Sequence, residues 1–160
     1  TGIELPGESA GLLRSSDQWQ GRDRYVTMFG QAYAITAGQE ASALATIANG
    51  GVRITPHIVK SWTNADGTVE VPEGTQPVQV LEATTASQLL TMMESVVEDD
   101  LGTAAASKVP GYRVAVKTGT AETIIDGLSG LVSTTAGIVP VDAPRPAYSA
   151  SREPGTRWSA

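Results

Sequence analysis

Tyr112-Arg113-Val114-Ala115-Val116-Lys117-Thr118-Gly119-Thr120 is the stretch of sequence that says most about the fold. Its first five residues are rich in aromatic and β-branched side chains and follow the turn signal Val109-Pro110-Gly111, so they predict a strand. The last four residues bring together an ammonium, two hydroxyls and a glycine. Ammonium and hydroxyl groups bind anions, and glycine lets a ligand approach the backbone closely. We therefore expect anion recognition at residues 117–120, against the alternative of a plain strand end with a turn glycine.

Upstream of this stretch, residues 85–98 have the clearest helical periodicity in the chain. Thr85-x-x-Gln88 has the form of a capping box, which predicts where the helix begins, and Gly102 is expected to break the pattern. The apolar face comprises Ala86, Leu89, Leu90, Met93, Val96 and Val97.

A second helix is predicted over residues 36–49. It opens with another capping box, Thr36-Ala37-Gly38-Gln39, and closes on Asn49-Gly50-Gly51, whose residues suit a left-handed C-terminal cap. The small residues along its apolar stripe favour close packing against another element.

Shorter signals predict the remaining elements. Residues 53–62 and 68–71, joined by Asn64-Ala65-Asp66-Gly67, predict a hairpin, and Pro56 confines its first strand to an edge or a strand start. A further strand is expected over residues 131–139. Residues 1–24 lack periodicity and predict an irregular segment.

Composition excludes several classes of function. The 160 residues include 11 Lys and Arg against 17 Asp and Glu, a net charge of −6, so the basic footprint of a nucleic-acid-binding protein is missing. There are no cysteines, and His57 is the single histidine, so neither a thiolate site nor a two-histidine metal site can form. No apolar stretch has the length of about 20 residues that a membrane span needs. Because the chain does not begin with Met, we expect it to be a segment of a longer protein.

Around the Lys-Thr-Gly motif, five blocks of sequence stand in a fixed order over residues 1–145. They are Thr1-Gly2-Ile3-Glu4-Leu5-Pro6-Gly7-Glu8; Phe29-Gly30-Gln31 with Ile35-Thr36 and Gln39; Ala45-Thr46-Ile47-Ala48-Asn49-Gly50-Gly51; Gly102-Thr103-Ala104 and Gly111-Tyr112-Arg113-Val114-Ala115 leading to Lys117-Thr118-Gly119-Thr120-Ala121; and Ala136-Gly137-Ile138-Val139-Pro140. Lys-Thr-Gly is the third signature of penicillin-binding proteins, beside Ser-x-x-Lys and a Ser-x-Asn type motif. In this order the blocks resemble the class B peptidoglycan D,D-transpeptidases of that family.

The resemblance implies an α/β fold, an antiparallel sheet of five strands flanked by helices, present here only in part and incomplete at both ends. It implies that Lys117 sets the electrostatics of the active site and favours the substrate carboxylate. It implies that the hydroxyls of Thr118 and Thr120 bind the terminal carboxylate of a D-Ala-D-Ala stem peptide or of a β-lactam, with Gly119 between them. The backbone N–H of Thr120 would form half of an oxyanion hole.

The nucleophile of the family is missing from these residues. Lys60, Lys108 and Lys117 each lack a serine three positions before them, so no Ser-x-x-Lys exists in the chain. Because acyl transfer requires an activated nucleophile, we expect this chain alone to be inactive. The favoured interpretation is a fragment of a transpeptidase that cross-links stem peptides through a serine acyl-enzyme. The alternatives are a noncatalytic module that binds cell-wall peptides and a fragment related to serine β-lactamases.

Two departures from the family pattern qualify the resemblance. Val116 stands where the family usually has glycine, and we expect it to add a branched side chain beside the groove. Residues 146–160 lack the Val-rich strand and final helix of the family, so we divide the chain into a transpeptidase part, residues 1–145, and an irregular tail that reads like a frameshifted or prematurely ended product.

The resemblance also implies the setting in which the parent protein works. It implies no metal and no organic cofactor. The expected partners are the stem peptide, β-lactams and division or elongation proteins, without nucleic acid. The implied location is the extracytoplasmic face of the cell membrane, with attachment through an N-terminal anchor that this chain lacks.

Overall fold

The computed structural model describes residues 1–3, 5–71, 76–125, 128–144 and 147–152. Within these ranges the chain forms three α-helices, α1 to α3, three short 3-10 helices and seven strands, β1 to β7. The α-helices are Asp23–Val26, Ala37–Ala48 and Ala83–Glu98, and the strands are Val52–Arg53, Trp62–Thr63, Val69–Glu70, Val78–Gln79, Ala115–Ile125, Leu128–Ile138 and Ala147–Arg152.

The main sheet is antiparallel and has the order β5-β6-β7. β5 and β6 pair over their full length, from Ala115 opposite Ile138 to Ile125 opposite Leu128. β7 pairs with the other side of β6. In the described part of the chain, β5 is therefore an edge strand of this sheet, while β1-β4 and β2-β3 form two small separate pairs.

Two clusters of buried side chains join α2 and α3 to the sheet. The first core cluster lies between α2, α3, β5 and β6, and the second lies between the end of α3 and the start of β5. The first consists of Leu44, Met93, Ala115, Ala136, Ile138 and Val141, and the second of Val97, Ala104, Val114 and Val116. The mixed helix and sheet fold expected from the sequence is confirmed.

α2 begins where the sequence predicts. The Thr36 hydroxyl accepts from the Gln39 backbone N–H at 3.1 Å, and the Gln39 side chain accepts from the Thr36 N–H at 2.9 Å, so the capping box is complete. At the other end, Asn49 is the cap, and the left-handed residues are Gly50 and Gly51, with φ of 63° and 86°.

The predicted start of α3 is wrong by two residues. The helix begins at Ala83 after Glu82, whose side chain makes no capping hydrogen bond, so Thr85 is a residue of the first turn and forms no capping box. The predicted apolar face is correct, because Ala86, Met93 and Val97 are buried.

The predicted hairpin is correct at its tip and wrong in its first strand. β2 and β3 pair across the turn, where the Asn64 N–H donates to the Thr68 carbonyl at 2.9 Å and Gly67 has a φ of 84°. Residues 54–61 belong to no strand. Pro56 has no backbone N–H to donate, and Val52–Arg53 pairs instead with Val78–Gln79.

The expectation of an irregular tail is wrong for Ala147–Arg152, which forms β7 against β6. The backbone of this segment pairs with the edge of β6 that β5 leaves free, although its sequence shows no hydrophobic periodicity. The rest of the expected tail, residues 146 and 153–160, lies outside the described residues, and the division at residue 145 stays a prediction. Residues 1–24 are largely irregular, as expected.

Candidate functional site

The Lys-Thr-Gly-Thr segment lies inside β5 rather than at a strand end. All four of its residues are opposite residues of β6: Lys117 faces Ala136, Thr118 faces Thr135, Gly119 faces Thr134, and Thr120 faces Ser133. The alternative of a strand end with a turn glycine is therefore wrong. Because β6 occupies one side of β5, the other backbone edge of β5 carries no strand in the described part of the chain.

The two threonine hydroxyls share one face of β5. Side chains alternate along a strand, so Thr118 and Thr120 point to the face that also carries Val116, while Lys117 and Gly119 point to the opposite face. Thr118 is half-buried and Thr120 is exposed. The structure thus brings the two predicted carboxylate ligands together on one surface.

Lys117 projects from the other face of β5 and contacts the backbone of Thr118. Its side chain is exposed, and its Nζ donates a hydrogen bond to the backbone carbonyl of Thr118. The ammonium and the Thr118 residue are therefore neighbours, as anion recognition by both groups requires.

Thr103 is a member of this site that sequence reasoning missed. Its Oγ1 lies 3.0 Å from the Thr118 Oγ1, so one hydroxyl donates to the other and the Thr118 side chain is held in place. The sequence signal that could have identified Thr103 is the block Gly102-Thr103-Ala104. A Cβ on Gly102 would lie 2.3 Å from the Val96 carbonyl oxygen, so only glycine lets the chain turn closely against the end of α3 and bring Thr103 to β5.

Gly119 has a packing role that the sequence did not reveal. A Cβ at this position would lie 2.5 Å from Oγ1 of Thr134, its partner on β6. The space that a side chain would need is already occupied, so glycine is required by the sheet itself.

The surroundings of Val116 are not those that the sequence predicted. It was expected to stand beside the groove, but it is fully buried and packs in the second core cluster with Val97 and Ala104. Its branched side chain therefore closes the face of β5 before Thr118 and leaves the surface at Thr120 open.

A cavity of about 590 Å³ opens beside Thr120. It lies between β5, β6 and the segment around α1. Its lining residues are Arg22, Asp23, Val26, Gln31, Ala32, Thr120, Glu122 and Leu131. Both charged and apolar groups therefore border the open end of the threonine face.

His57 takes no part in this site. It is exposed, and its Nδ1 lies 3.5 Å from the Thr55 carbonyl oxygen. In the part of the chain that the structure describes, no three His, Asp or Glu side chains come together as a metal site. Among the same residues, no helix has the length and hydropathy of a membrane span.

Comparison with known proteins gives one family over nearly all of the chain. Residues 1–153 match the family model of the penicillin-binding protein transpeptidase domain. This match extends beyond residue 145 and includes the whole of β7.

Individual relatives agree with this match. The chain is 40% identical over 155 residues to penicillin-binding protein PbpB of Mycolicibacterium smegmatis, covering 91% of this chain and 24% of that protein. It is 32% identical to a probable peptidoglycan D,D-transpeptidase PenA of Neisseria flavescens, covering 88% of this chain and 33% of that protein. The crystal structure of penicillin-binding protein 3 from Mycobacterium tuberculosis complexed with aztreonam superposes with a TM-score of 0.86 and 36% identity, covering 94% of this chain and 36% of that one. The chain thus spans about a quarter to a third of the length of the proteins it matches.

Proposed function

Because this chain belongs to the penicillin-binding protein transpeptidase family, we propose that it forms the wall of a peptidoglycan D,D-transpeptidase site that holds the terminal carboxylate of the substrate. The observation that carries this proposal is the common face of Thr118 and Thr120 on an edge strand, with the Lys117 ammonium at the Thr118 carbonyl and an open cavity beside Thr120.

Each residue of the motif has a role in this proposal. The hydroxyls of Thr118 and Thr120 donate hydrogen bonds to the carboxylate of a D-Ala-D-Ala stem peptide, and Lys117 supplies the positive charge that favours it. Thr103 fixes the rotamer of Thr118 through the 3.0 Å hydroxyl contact. Gly119 lets β5 pair closely with β6 at Thr134, and the Thr120 N–H supplies one of two donors to the oxyanion.

In the whole protein, the reaction proceeds through a serine acyl-enzyme. The serine hydroxyl adds to the carbonyl carbon of the penultimate D-Ala, the bond to the terminal D-Ala nitrogen breaks, and that nitrogen leaves with a proton. The amine of a second stem peptide then takes the acyl group and returns a proton to the serine. These 160 residues contain no Ser-x-x-Lys, so the serine comes from another part of the protein.

The setting of the reaction follows from its substrate. Peptidoglycan is built outside the cytoplasmic membrane, so we assign the whole protein to that face of the membrane, with division or elongation proteins as partners. β-Lactams occupy the same carboxylate site in this proposal. The alternatives of a noncatalytic module and a β-lactamase-related fragment gain no support from relatives named as penicillin-binding proteins and transpeptidases.

A titration followed by NMR tests the carboxylate site in the chain itself. The ligand is Nα,Nε-diacetyl-Lys-D-Ala-D-Ala, and its C-terminal amide is the control peptide. The carboxylate form is expected to shift the amide signals of residues 118–120. Thr118→Val removes one hydroxyl and should weaken binding about tenfold, as expected for a lost hydrogen bond to a charged group.

Thr123→Val is the matched control variant, because Thr123 lies on β5 but on the opposite face from Thr118. It should leave the affinity unchanged. Equal affinities for the acid and the amide, or equal affinities of the Thr118→Val variant and the unchanged chain, would contradict the proposal.

A further inference from the structure

The threonine face of β5 continues past Thr120 to Glu122. Residues two apart on a strand share a face and lie about 7 Å apart. Thr118, Thr120 and Glu122 therefore form a row along one surface, and the cavity of about 590 Å³ borders both Thr120 and Glu122.

The same face is closed in the other direction. Val116 is fully buried against Val97 and Ala104, and the Thr103 hydroxyl lies against Thr118. Among the described residues, a ligand whose carboxylate is held at Thr118 and Thr120 can extend along this face only toward Glu122.

Glu122 is the carboxylate of the cavity that is available to a ligand. It is exposed and makes no ion pair or hydrogen bond with any described residue. The other carboxylate, Asp23, already accepts from the Gln20 N–H at 3.2 Å and lies 3.5 Å from Nη1 of Arg14. Arg22 adds one positive charge to the lining, which leaves the cavity with a net charge of −1.

We propose that Glu122 is a specificity-determining residue that accepts a hydrogen bond from a positively charged amine on the substrate, an inference that rests on the proposed carboxylate site. An extended peptide advances about 3.3 Å per residue. With its terminal carboxylate between Thr118 and Thr120, its third residue from the end lies beside Glu122.

The experiment compares two peptides that differ in this amine alone. Nα-acetyl-Lys-D-Ala-D-Ala keeps the side-chain amine, and the Nα,Nε-diacetyl form blocks it. In NMR titrations of the 160-residue chain at low salt, the free amine should improve the affinity about two- to fivefold, the range of a solvent-exposed ion pair. The advantage should shrink as salt is added, because salt screens exposed charges.

Glu122→Gln should abolish the advantage while leaving the affinity for the diacetyl peptide unchanged. Asp100→Asn is a control matched in charge, because Asp100 is exposed beyond the end of α3 and does not line the cavity. This control should keep the advantage of the free amine.

The outcomes separate the two proposals. If both peptides bind equally and Thr118→Val weakens both, the role of Glu122 is wrong and the carboxylate site stands. An advantage of the amine that survives in Glu122→Gln also overturns the role of Glu122. If neither peptide binds, both proposals are wrong.

Discussion

The two halves of β5 differ in almost every physical respect. Residues 114–116, just before the strand and at its start, are fully buried and belong to the two core clusters. Arg113 ties this end to α3 through two hydrogen bonds to the Glu94 carboxylate, at 2.8 and 2.6 Å, and this contact raises the pKa of Arg113. Residues 117–124 are exposed or half-buried, and two of them, Thr120 and Glu122, line the cavity. We call residues 114–116 the closed half and residues 117–124 the open half.

This difference shows how one strand can serve both folding and binding. The closed half fixes the position and twist of the strand through apolar burial. Among the described residues, the open half pairs with β6 alone, and its other backbone edge carries no strand. Substitutions in the closed half should therefore change stability, and substitutions of the exposed side chains of the open half should mainly change ligand binding.

The largest expected effect comes from truncating a buried side chain opposite the closed half. Ile138 is fully buried and faces Ala115, so Ile138→Ala should lower the free energy of unfolding by about 2–5 kcal/mol. Ile124 has 75% of its surface exposed in the open half, so Ile124→Ala should cost less than about 0.5 kcal/mol. Urea denaturation followed by circular dichroism compares the two. Equal losses from the two substitutions would remove the distinction between the halves.

A smaller effect is expected at Gly119, where the open half meets β6. Gly119→Ala places a Cβ 2.5 Å from Thr134 Oγ1 and should cost about 1–3 kcal/mol through overpacking. Thr134→Ala removes the clashing oxygen, so the double variant should recover most of that loss. A double-mutant cycle by urea denaturation measures the recovery, and strictly additive losses would show that the two side chains do not meet.

The smallest effect concerns the start of the helices that cover the closed half. Thr36→Ala removes an observed N-cap and should cost about 1 kcal/mol. Thr85→Ala changes a residue in the first turn of α3 that makes no capping box, so it should be neutral or slightly stabilising, because alanine is the better helix former. Thermal unfolding of the two variants should give shifts of different size. A Thr85→Ala variant as unstable as Thr36→Ala would mean that α3 begins where the sequence pattern predicted.

Local signals were enough to predict several elements. The capping box at Thr36 and Gln39 involves neighbours in the chain, so it could be found from spacing alone. The tip of the β2-β3 hairpin likewise depends on turn residues. The ordered family blocks indicated the fold and the family, and the match over residues 1–153 confirms both.

Features that depend on partners far along the chain escaped prediction. β1 pairs with β4 about 25 residues away, and no local pattern specifies that pairing. The glycine and threonines after Lys117 are also compatible with the end of a strand. β5 nevertheless continues through Gly119, because β6 supplies eleven paired residues. The residues of the motif were predictable. The Thr103 contact and the close fit of Gly119 against Thr134 were not, because both depend on the tertiary structure.

We propose that these residues carry the carboxylate side of a transpeptidase site without the nucleophile, and intact-mass measurement after incubation with a fluorescent penicillin checks this proposal. We expect an unchanged mass near 16.6 kDa and no labelled band on a denaturing gel. Full-length PbpB of Mycolicibacterium smegmatis serves as the positive control. A chain that gains the mass of one penicillin would show that these residues contain a nucleophile. It would point to another serine as the nucleophile, such as Ser133, which lies opposite Thr120 on β6, or Ser129.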